Sequence, residues 1–314
     1  MKNIVAVVGA TASGKTSLAI SLAKALDGEI ISCDSMQIYR GMDIGTAKPS
    51  MEEREGIPHH LMDVVDPCEN FSVADYAVLA KSAIDDICSR GKLPIFCGGT
   101  GLYLDSVLTA TEYSDAASDE TLREELTKEA QEKGAMALWQ RPEKEDAESA
   151  AAIHPNNVKR VIRALEIKIL TGVPKSEWDR RSRLIPSPYN SLVFGLSYPD
   201  RAVLYNRIDK RVDIMMDMGL VSEVEGLLSS GRLPRTSTAA QAIGYKEMIS
   251  YLDGEVSLDG AVETIKLATR RYAKRQITWF GNKPYVQPVE VDGALSEQSF
   301  EEIVKNVKKA FQFS

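Results

Sequence analysis

The chain has 314 residues, 44% of them hydrophobic and 26% charged, which provides for a sizeable core and excludes a disordered or collagen-like polymer. The first apolar run, Ile4 to Val8, is five residues and no run approaches a membrane span, so neither a signal peptide nor a transmembrane segment is expected. The net charge of -7 argues at face value against a nucleic-acid partner, but its distribution reverses that reading.

Residues 111–150 hold 12 acidic and 5 basic side chains, so the rest of the chain is neutral. Within that remainder, residues 154–183 carry 8 basic and 3 acidic groups, and residues 264–283 carry 6 basic and no acidic ones. A polyanion needs a local basic surface, not a basic total, although two solvated helix faces would look the same. The four cysteines, at 33, 68, 88 and 97, form no C-x-x-C pair and no metal spacing. They read as thiols of a reducing cytosol.

In chain order, "NIVAVV" is a continuous apolar run entering a glycine-rich turn, the pattern of a buried parallel strand. "KTSLAISLAKAL" from Lys15 reads as a helix and "EIISC" as a second strand. "VADYAVLAKSAIDDICSRG" is an amphipathic helix closing near Gly91. "KLPIFCGGTG" is a third strand running into glycines. This alternation predicts an α/β fold with a parallel sheet flanked by helices, like the P-loop NTPases. From about 112 the pattern becomes helical. One helix starts at a cap on Ser118 or Asp119 and stops at Gly134, and another runs from an Asn cap to Gly172. Residues 112–198 are therefore expected to form a helical insertion domain, with 1–111 and 199–314 forming the core.

Gly9-x4-Gly14-Lys15-Thr16, "GATASGKT", is a phosphate loop in the required strand-before, helix-after context. Its glycines let backbone N–H groups converge on anionic oxygens at a helix N-terminus. Lys15 adds a full charge and Thr16 a hydroxyl for a divalent ion. These letters specify a diphosphate or triphosphate without specifying ATP. Asp34 follows the second strand, so in a parallel sheet it faces the same edge as the loop; a cap on the turn "SMQIYRG" is the competing reading. Where an ATPase strand would end in a metal-holding acid, "LPIFC" ends in glycines. His59 and His60 are adjacent and lack a third ligand, so they read as loop anchors. "TRRYAKRQITWF" sets Arg271 with Arg275, and Arg270 with Lys274, at i,i+4, beside an apolar side of Ile265, Ala268 and Tyr272. Basic groups next to aromatics suit phosphate contact and base stacking.

Taken together, "GATASGKT", "DSMQIYRGMDIGTAKP", "HHLMDVVDP", "FSVADY", "GGTGLYL", "HPNNVKRVIRALE", "QAIGYKE" and "TRRYAKRQITWF" resemble, in content and order, the tRNA dimethylallyltransferases, or tRNA isopentenyltransferases, from Gly9 to about Gly281. The resemblance implies transfer of a dimethylallyl group from dimethylallyl diphosphate, with Mg2+, to the N6 amine of the adenosine 3′ to the anticodon (position 37) in tRNAs reading codons that begin with U. It implies that Gly9, Ala10, Thr11, Ala12, Ser13, Gly14, Lys15 and Thr16 hold the diphosphate, with Thr16 nearest the metal and Arg211 neutralising the leaving group. Asp34 resembles the family's general base, with Ser35, Met36 and Gln37 completing the adenine pocket. Thr100, Arg123 and the run Lys159, Arg160, Val161, Ile162 and Arg163 match tRNA-touching positions. So do Gln241, Ala242, Ile243, Gly244, Tyr245 and Lys246, and Lys274, Arg275, Gln276, Ile277, Thr278, Trp279, Phe280 and Gly281. Ala10 departs from the family's usual proline, with little consequence expected. No Cys/His cluster stands near the C-terminus, so the zinc-finger tail of some eukaryotic relatives is not expected.

The expected partners are thus a tRNA anticodon arm and dimethylallyl diphosphate, with no membrane, for a cytoplasmic monomer. Three other readings share part of the pattern. A P-loop small-molecule kinase shares the loop but leaves both basic segments unexplained. An adenylate prenyltransferase acting on AMP, ADP or ATP needs the loop and Asp34 but no RNA-binding insertion. A non-catalytic RNA-binding module needs neither the loop nor Asp34.

Overall fold

The computed structural model describes residues 1–109, 119–184, 186–292 and 295–312. They fall into two compact units, one of Met1–Asp105 with Tyr189–Ser314 and one of Ser106–Pro188. The first unit begins β1 (Lys2–Gly9), α1 (Lys15–Ala25), β2 (Gly28–Ser32), β3 (His59–His60), α2 (Val73–Ser89) and β4 (Leu93–Gly98). Helix α3 (Gly101–Leu108) leads out of it.

The second unit holds α4 (Glu120–Lys133), α5 (Ala135–Glu145), α6 (Ala147–Ala152), α7 (Val158–Thr171) and α8 (Lys175–Leu184). The chain then returns through β5 (Tyr189–Ser197), α9 (Arg201–Asp217), α10 (Leu220–Ser229), α11 (Tyr245–Leu252), α12 (Leu258–Gly281), β6 (Val286–Glu290) and α13 (Glu297–Phe311).

The six strands form one sheet in the order β3-β2-β4-β1-β5-β6, and every pairing is parallel. Side chains alternate across it. Val5, Val7, Ile30, Ile95 and Cys97 pack with Leu18 and Leu22 of α1 and with Ile303, Val307 and Phe311 of α13. Ile4, Ala6 and Val8 are fully buried on the opposite face. Each such aliphatic side chain contributes roughly 1.5–3 kcal/mol, against about 0–1 kcal/mol for a surface ion pair, so this burial sets the fold. A second apolar cluster joins Ile38, Tyr39 and Met42, just after β2, to Val212, Leu220, Val224, Tyr245 and Ile265 from α9 to α12. It fixes the segment after β2 beneath the C-terminal helices.

The expected boundaries are corrected at both ends. The compact helical unit starts at 106, and the expected junction at 111–112 lies outside the described residues, as does Ser118. The return comes at 189 rather than 199, because β5 pairs along all of β1 and so belongs to the sheet. Within the helical unit, Asp119 caps α4 by accepting from Leu122 N–H, and Asn157 caps α7. Leu126, Leu138, Val161, Ile162 and Leu165 form its core. No described helix is long and apolar enough to cross a membrane.

Candidate active site

A parallel sheet brings the C-terminal ends of its strands to one edge. The segments after β1, β2 and β4 meet there. Gly14 caps α1 at φ 92°, a left-handed conformation open to glycine, and no side chain caps that helix. Its first N–H groups thus lack intrahelical partners, and Gly14, Lys15, Thr16 and Ser17 at this end of the helix all line one cavity. Ala12 holds φ 62°, a strained value for a residue with a Cβ and one that concentrates at ligand-binding loops.

The loop is braced from α9. Arg207 Nε donates to the Ala12 carbonyl at 2.9 Å and Arg211 Nη1 to Thr11 Oγ1 at 3.4 Å. Lys15 Nζ folds back onto the Ala10 carbonyl at 2.5 Å. Burial among protein atoms, with the Arg211 charge adding to it and nearby thiol and carboxyl groups opposing, lowers the Lys15 pKa to about 8; an arriving polyanion would restore its full charge. Burial likewise pulls the Arg211 pKa down. Ser13 Oγ is buried with no hydrogen-bond partner among the described residues. Ser13, Gly14, Lys15 and Thr16 line a cavity of about 630 Å³ together with Arg207, Lys210 and Arg211.

A second cavity, of about 410 Å³, is lined by Thr11, Asp34, Ser35, Met36, Arg211, Tyr272 and Arg275, with an apolar wall of Ile208, Val212, Met215 and Ile265. The two cavities share Arg211, Ala47 and Met215. Asp34 Oδ1 accepts from Met36 N–H at 2.9 Å, so the turn-cap reading is correct for one oxygen. Among the described residues no hydrogen bond reaches Oδ2. Thr100 Oγ1 accepts from Ser35 N–H at 3.0 Å, tying the β4 loop to this turn.

The wall between the cavities is itself anchored. The Glu223 carboxylate accepts the N–H groups of Asp43, Ile44 and Gly45 at 2.9, 2.7 and 3.1 Å, and the Tyr245 hydroxyl at 2.5 Å. A Cβ on Gly45 would lie 2.5 Å from the Tyr245 ring, so only glycine fits there.

Several residues matched to RNA or adenine contact lie elsewhere. Gln37 turns its amide to Ser32 Oγ and to the Thr46 and Ala47 carbonyls, pinning the wall rather than lining the cavity. Val161, Ile162, Tyr245, Gln276 and Phe280 are buried, because each sits on the core-facing side of its element. Arg123 and Arg163 both engage the fully buried Glu166, which keeps its pKa depressed despite burial. Lys159, Arg160, Gln241, Lys246, Lys274, Arg275, Thr278, Trp279 and Gly281 are exposed. Ile243 and Ile277 are intermediate, while Ala242 and Gly244 are buried. Gln241, Ala242, Ile243, Gly244 and Lys246 all line the Asp34 cavity. Arg270 is paired with Asp209 at 2.5 Å. Arg275 lies 5.4 Å over the Tyr272 ring.

Sequence reading missed Arg207, whose i,i+4 spacing from Arg211 marks a common helix face, and Tyr272, which it gave to the apolar side alone. Burial and the nearby Asp34 charge push the Tyr272 phenol up to about 12, so it stays neutral beside that carboxylate. His59 and His60 form the edge strand β3, and His60 meets Glu29 at 2.8 Å. The described residues contain no group of three or more His, Cys, Asp or Glu able to hold a metal.

The model of the IPP transferase family matches residues 37–283, and one described as isopentenyl transferase matches 2–66. A tRNA dimethylallyltransferase of Acetivibrio thermocellus is 51% identical over 308 residues, covering 98% of this chain and 97% of that protein. One of Geobacillus thermodenitrificans is 53% identical over 291 residues, covering 92% and 90%. Among solved structures, the tRNA isopentenylpyrophosphate transferase of Bacillus halodurans superposes with a TM-score of 0.75 at 47% identity, covering 99% of this chain and 97% of that one. A eukaryotic dimethylallyltransferase acting on tRNA gives 0.79 at 32% identity, covering 92% and 74%.

Proposed function

The chain belongs to the IPP transferase family, and on that premise we propose that it transfers a dimethylallyl group from dimethylallyl diphosphate to the N6 amine of the adenosine beside the anticodon of tRNA. The observation that supports this most directly is the adjacency of two cavities at Arg211. The phosphate loop lines one, and Asp34, with Oδ2 unengaged, lines the other.

A stacked base is out of reach, so the adenosine is flipped into the Asp34 cavity. The N6 lone pair is delocalised into the ring, which makes N6 a weak nucleophile. As the bond from N6 to C1 of the prenyl group forms, the bond from C1 to the diphosphate oxygen breaks, and the N6 proton passes to Asp34 Oδ2. Charge builds on the departing diphosphate. The N-terminus of α1, Lys15 and Arg211 stabilise it.

Mg2+ fits this donor set. Ser13 and Thr16 are among the residues lining the cavity beside the loop, the buried Ser13 Oγ has no partner among the described residues, and Mg2+ is ordinarily held by few protein oxygens plus substrate phosphates. When bound, it adds positive charge to the leaving group. Exposed Lys159 and Arg160 in the helical unit, and Arg271, Lys274 and Arg275 on α12, are offered as phosphate contacts for the tRNA. A monomer acting in the cytoplasm, where its tRNA substrate resides, completes the reading.

The kinase reading is disfavoured by β4. Its last side chain beside Thr16 is Cys97, a neutral thiol that burial pushes up to about 11, where a phosphoryl-transfer enzyme places a metal-holding carboxylate. The adenylate prenyltransferase reading leaves the helical unit unused. Offering anticodon stem-loop RNA and AMP as competing acceptors tests the choice: prenylation of the RNA supports tRNA as substrate, and prenylation of AMP alone overturns it.

A further inference from the structure

Gln276 is the group in this region whose burial and bonding the transfer chemistry leaves unexplained. It lies on α12, is 4% exposed, and uses both ends of its amide. Oε1 accepts from Thr11 N–H at 2.8 Å, and Nε2 donates to the Gly99 carbonyl at 3.0 Å. The contacts span 265 and 177 residues of sequence. Room for the amide comes from Gly99, where a Cβ would stand 2.0 Å from Nε2. Gly99 does not adopt a positive φ, so glycine is needed there for space and not for backbone conformation.

Both ends of Thr11 are thereby held. Gln276 takes its N–H, and Arg211 donates to its hydroxyl. With its N–H already engaged by Gln276, Thr11 does not offer that amide to an anion, which leaves the amides at the start of α1. Arg211, shared by the two cavities, is placed through Thr11. The same stretch of α12 sets Tyr272 and Arg275 into the Asp34 cavity. One buried, uncharged amide therefore joins the donor loop, the loop after β4 and the helix that lines the acceptor cavity.

We propose that Gln276 is a positioning residue for the prenyl diphosphate. Through its bond to the Thr11 amide it sets the donor loop and Arg211 in register with the acceptor cavity, and it does not contact RNA. This rests on the prenyl-transfer reading above.

The test uses the full-length enzyme and two variants that disturb the amide differently. Gln276→Met keeps similar bulk without either hydrogen bond, and Gly99→Ala retains the glutamine but displaces its amide, since the added methyl would occupy the space beside Nε2. Loss of a net hydrogen bond of ordinary strength corresponds to about 10-fold. In both variants the KM for dimethylallyl diphosphate and the Kd for inorganic pyrophosphate, measured by calorimetry, rise about 10-fold, while the KM for tRNA stays within about twofold. A residue that only supports folding would lower Tm and the active fraction and leave all three constants unchanged per active site; that outcome overturns the proposal.

Hydrogen exchange on the wild-type protein decides the matter should both variants fail to fold. The Thr11 amide is protected with and without pyrophosphate, whereas the Lys15 and Thr16 amides gain protection only when it is added. A freely exchanging Thr11 amide overturns the proposal. Wild-type enzyme that neither binds pyrophosphate nor transfers a prenyl group overturns the donor reading instead, so the two failures are distinguishable.

Discussion

Asp34 Oδ1 stands 2.9 Å from the backbone nitrogen of Met36 and accepts its hydrogen bond, which orients the carboxylate and leaves Oδ2 to the cavity. One oxygen positions the group, and on the proposed reading the other takes the proton. Asp34→Asn separates the two tasks, because the amide oxygen still accepts from Met36 N–H while the basic oxygen is gone. The expected outcome is unchanged Tm, near wild-type KM values, and a kcat lowered by about 10²-fold or more, the usual scale for a lost general base. Single-turnover rates within a few fold of wild type would remove Asp34 from proton transfer.

Arg211 borders both cavities and reaches Thr11 Oγ1. Replacing it with Gln removes the positive charge that the two cavities share. A loss of about 10²-fold in kcat/KM for the donor is expected, the low end for a missing transition-state donor. Arg211→Lys should recover little of it, since an ammonium does not reproduce the guanidinium fork. Steady-state kinetics at saturating tRNA check this.

Arg271 and Arg275 lie on the exposed side of α12. Neutralising both to Gln is expected to weaken tRNA binding and to flatten the plot of log K against log salt by about one unit or more, as two phosphate contacts are lost. Filter binding from low to moderate salt measures the slope. An unchanged slope would make this a solvated face without RNA contact.

Glu29 gives a pH prediction remote from the site. Its carboxylate, 3% exposed, is engaged by both Arg90 terminal nitrogens and by His60. The Arg90 hydrogen bonds, opposed by burial and aided by His60, hold its pKa at about 2 against an ordinary 4.5. A depressed folded-state pKa stabilises above the unfolded value, so this contribution is complete above pH 4.5 and is lost as pH falls toward 2. Arg90→Ala should lower stability at neutral pH, because it takes the guanidinium away from the buried Glu29 carboxylate and leaves it His60. The gap between wild-type and variant melting temperatures should narrow as the pH drops below 4.5.

The site was legible where its information is local. The glycine spacing of the phosphate loop and the position of Asp34 after an apolar strand can be read from a few neighbouring letters, and a parallel sheet then brings both to one edge. Two strands were not legible. His59–His60 is too short to show a period. Val286–Glu290 contains Pro288, which argues against a central strand and is tolerated here because β6 is at the sheet edge. The Gln276 strap joins residues 265 apart, a relationship no local pattern encodes. Position matching also carried Val161 and Ile162 to the RNA, although their place on the apolar face of α7 puts them in the core of the helical unit.

The most direct test of the account is mass spectrometry of nucleosides from unmodified tRNA after incubation with this enzyme, Mg2+ and dimethylallyl diphosphate. The expected result is one added dimethylallyl group on N6 of the adenosine 3′ to the anticodon, with release of one pyrophosphate. Pyrophosphate release without a prenylated nucleoside, or a prenyl group found only on added AMP, would contradict it.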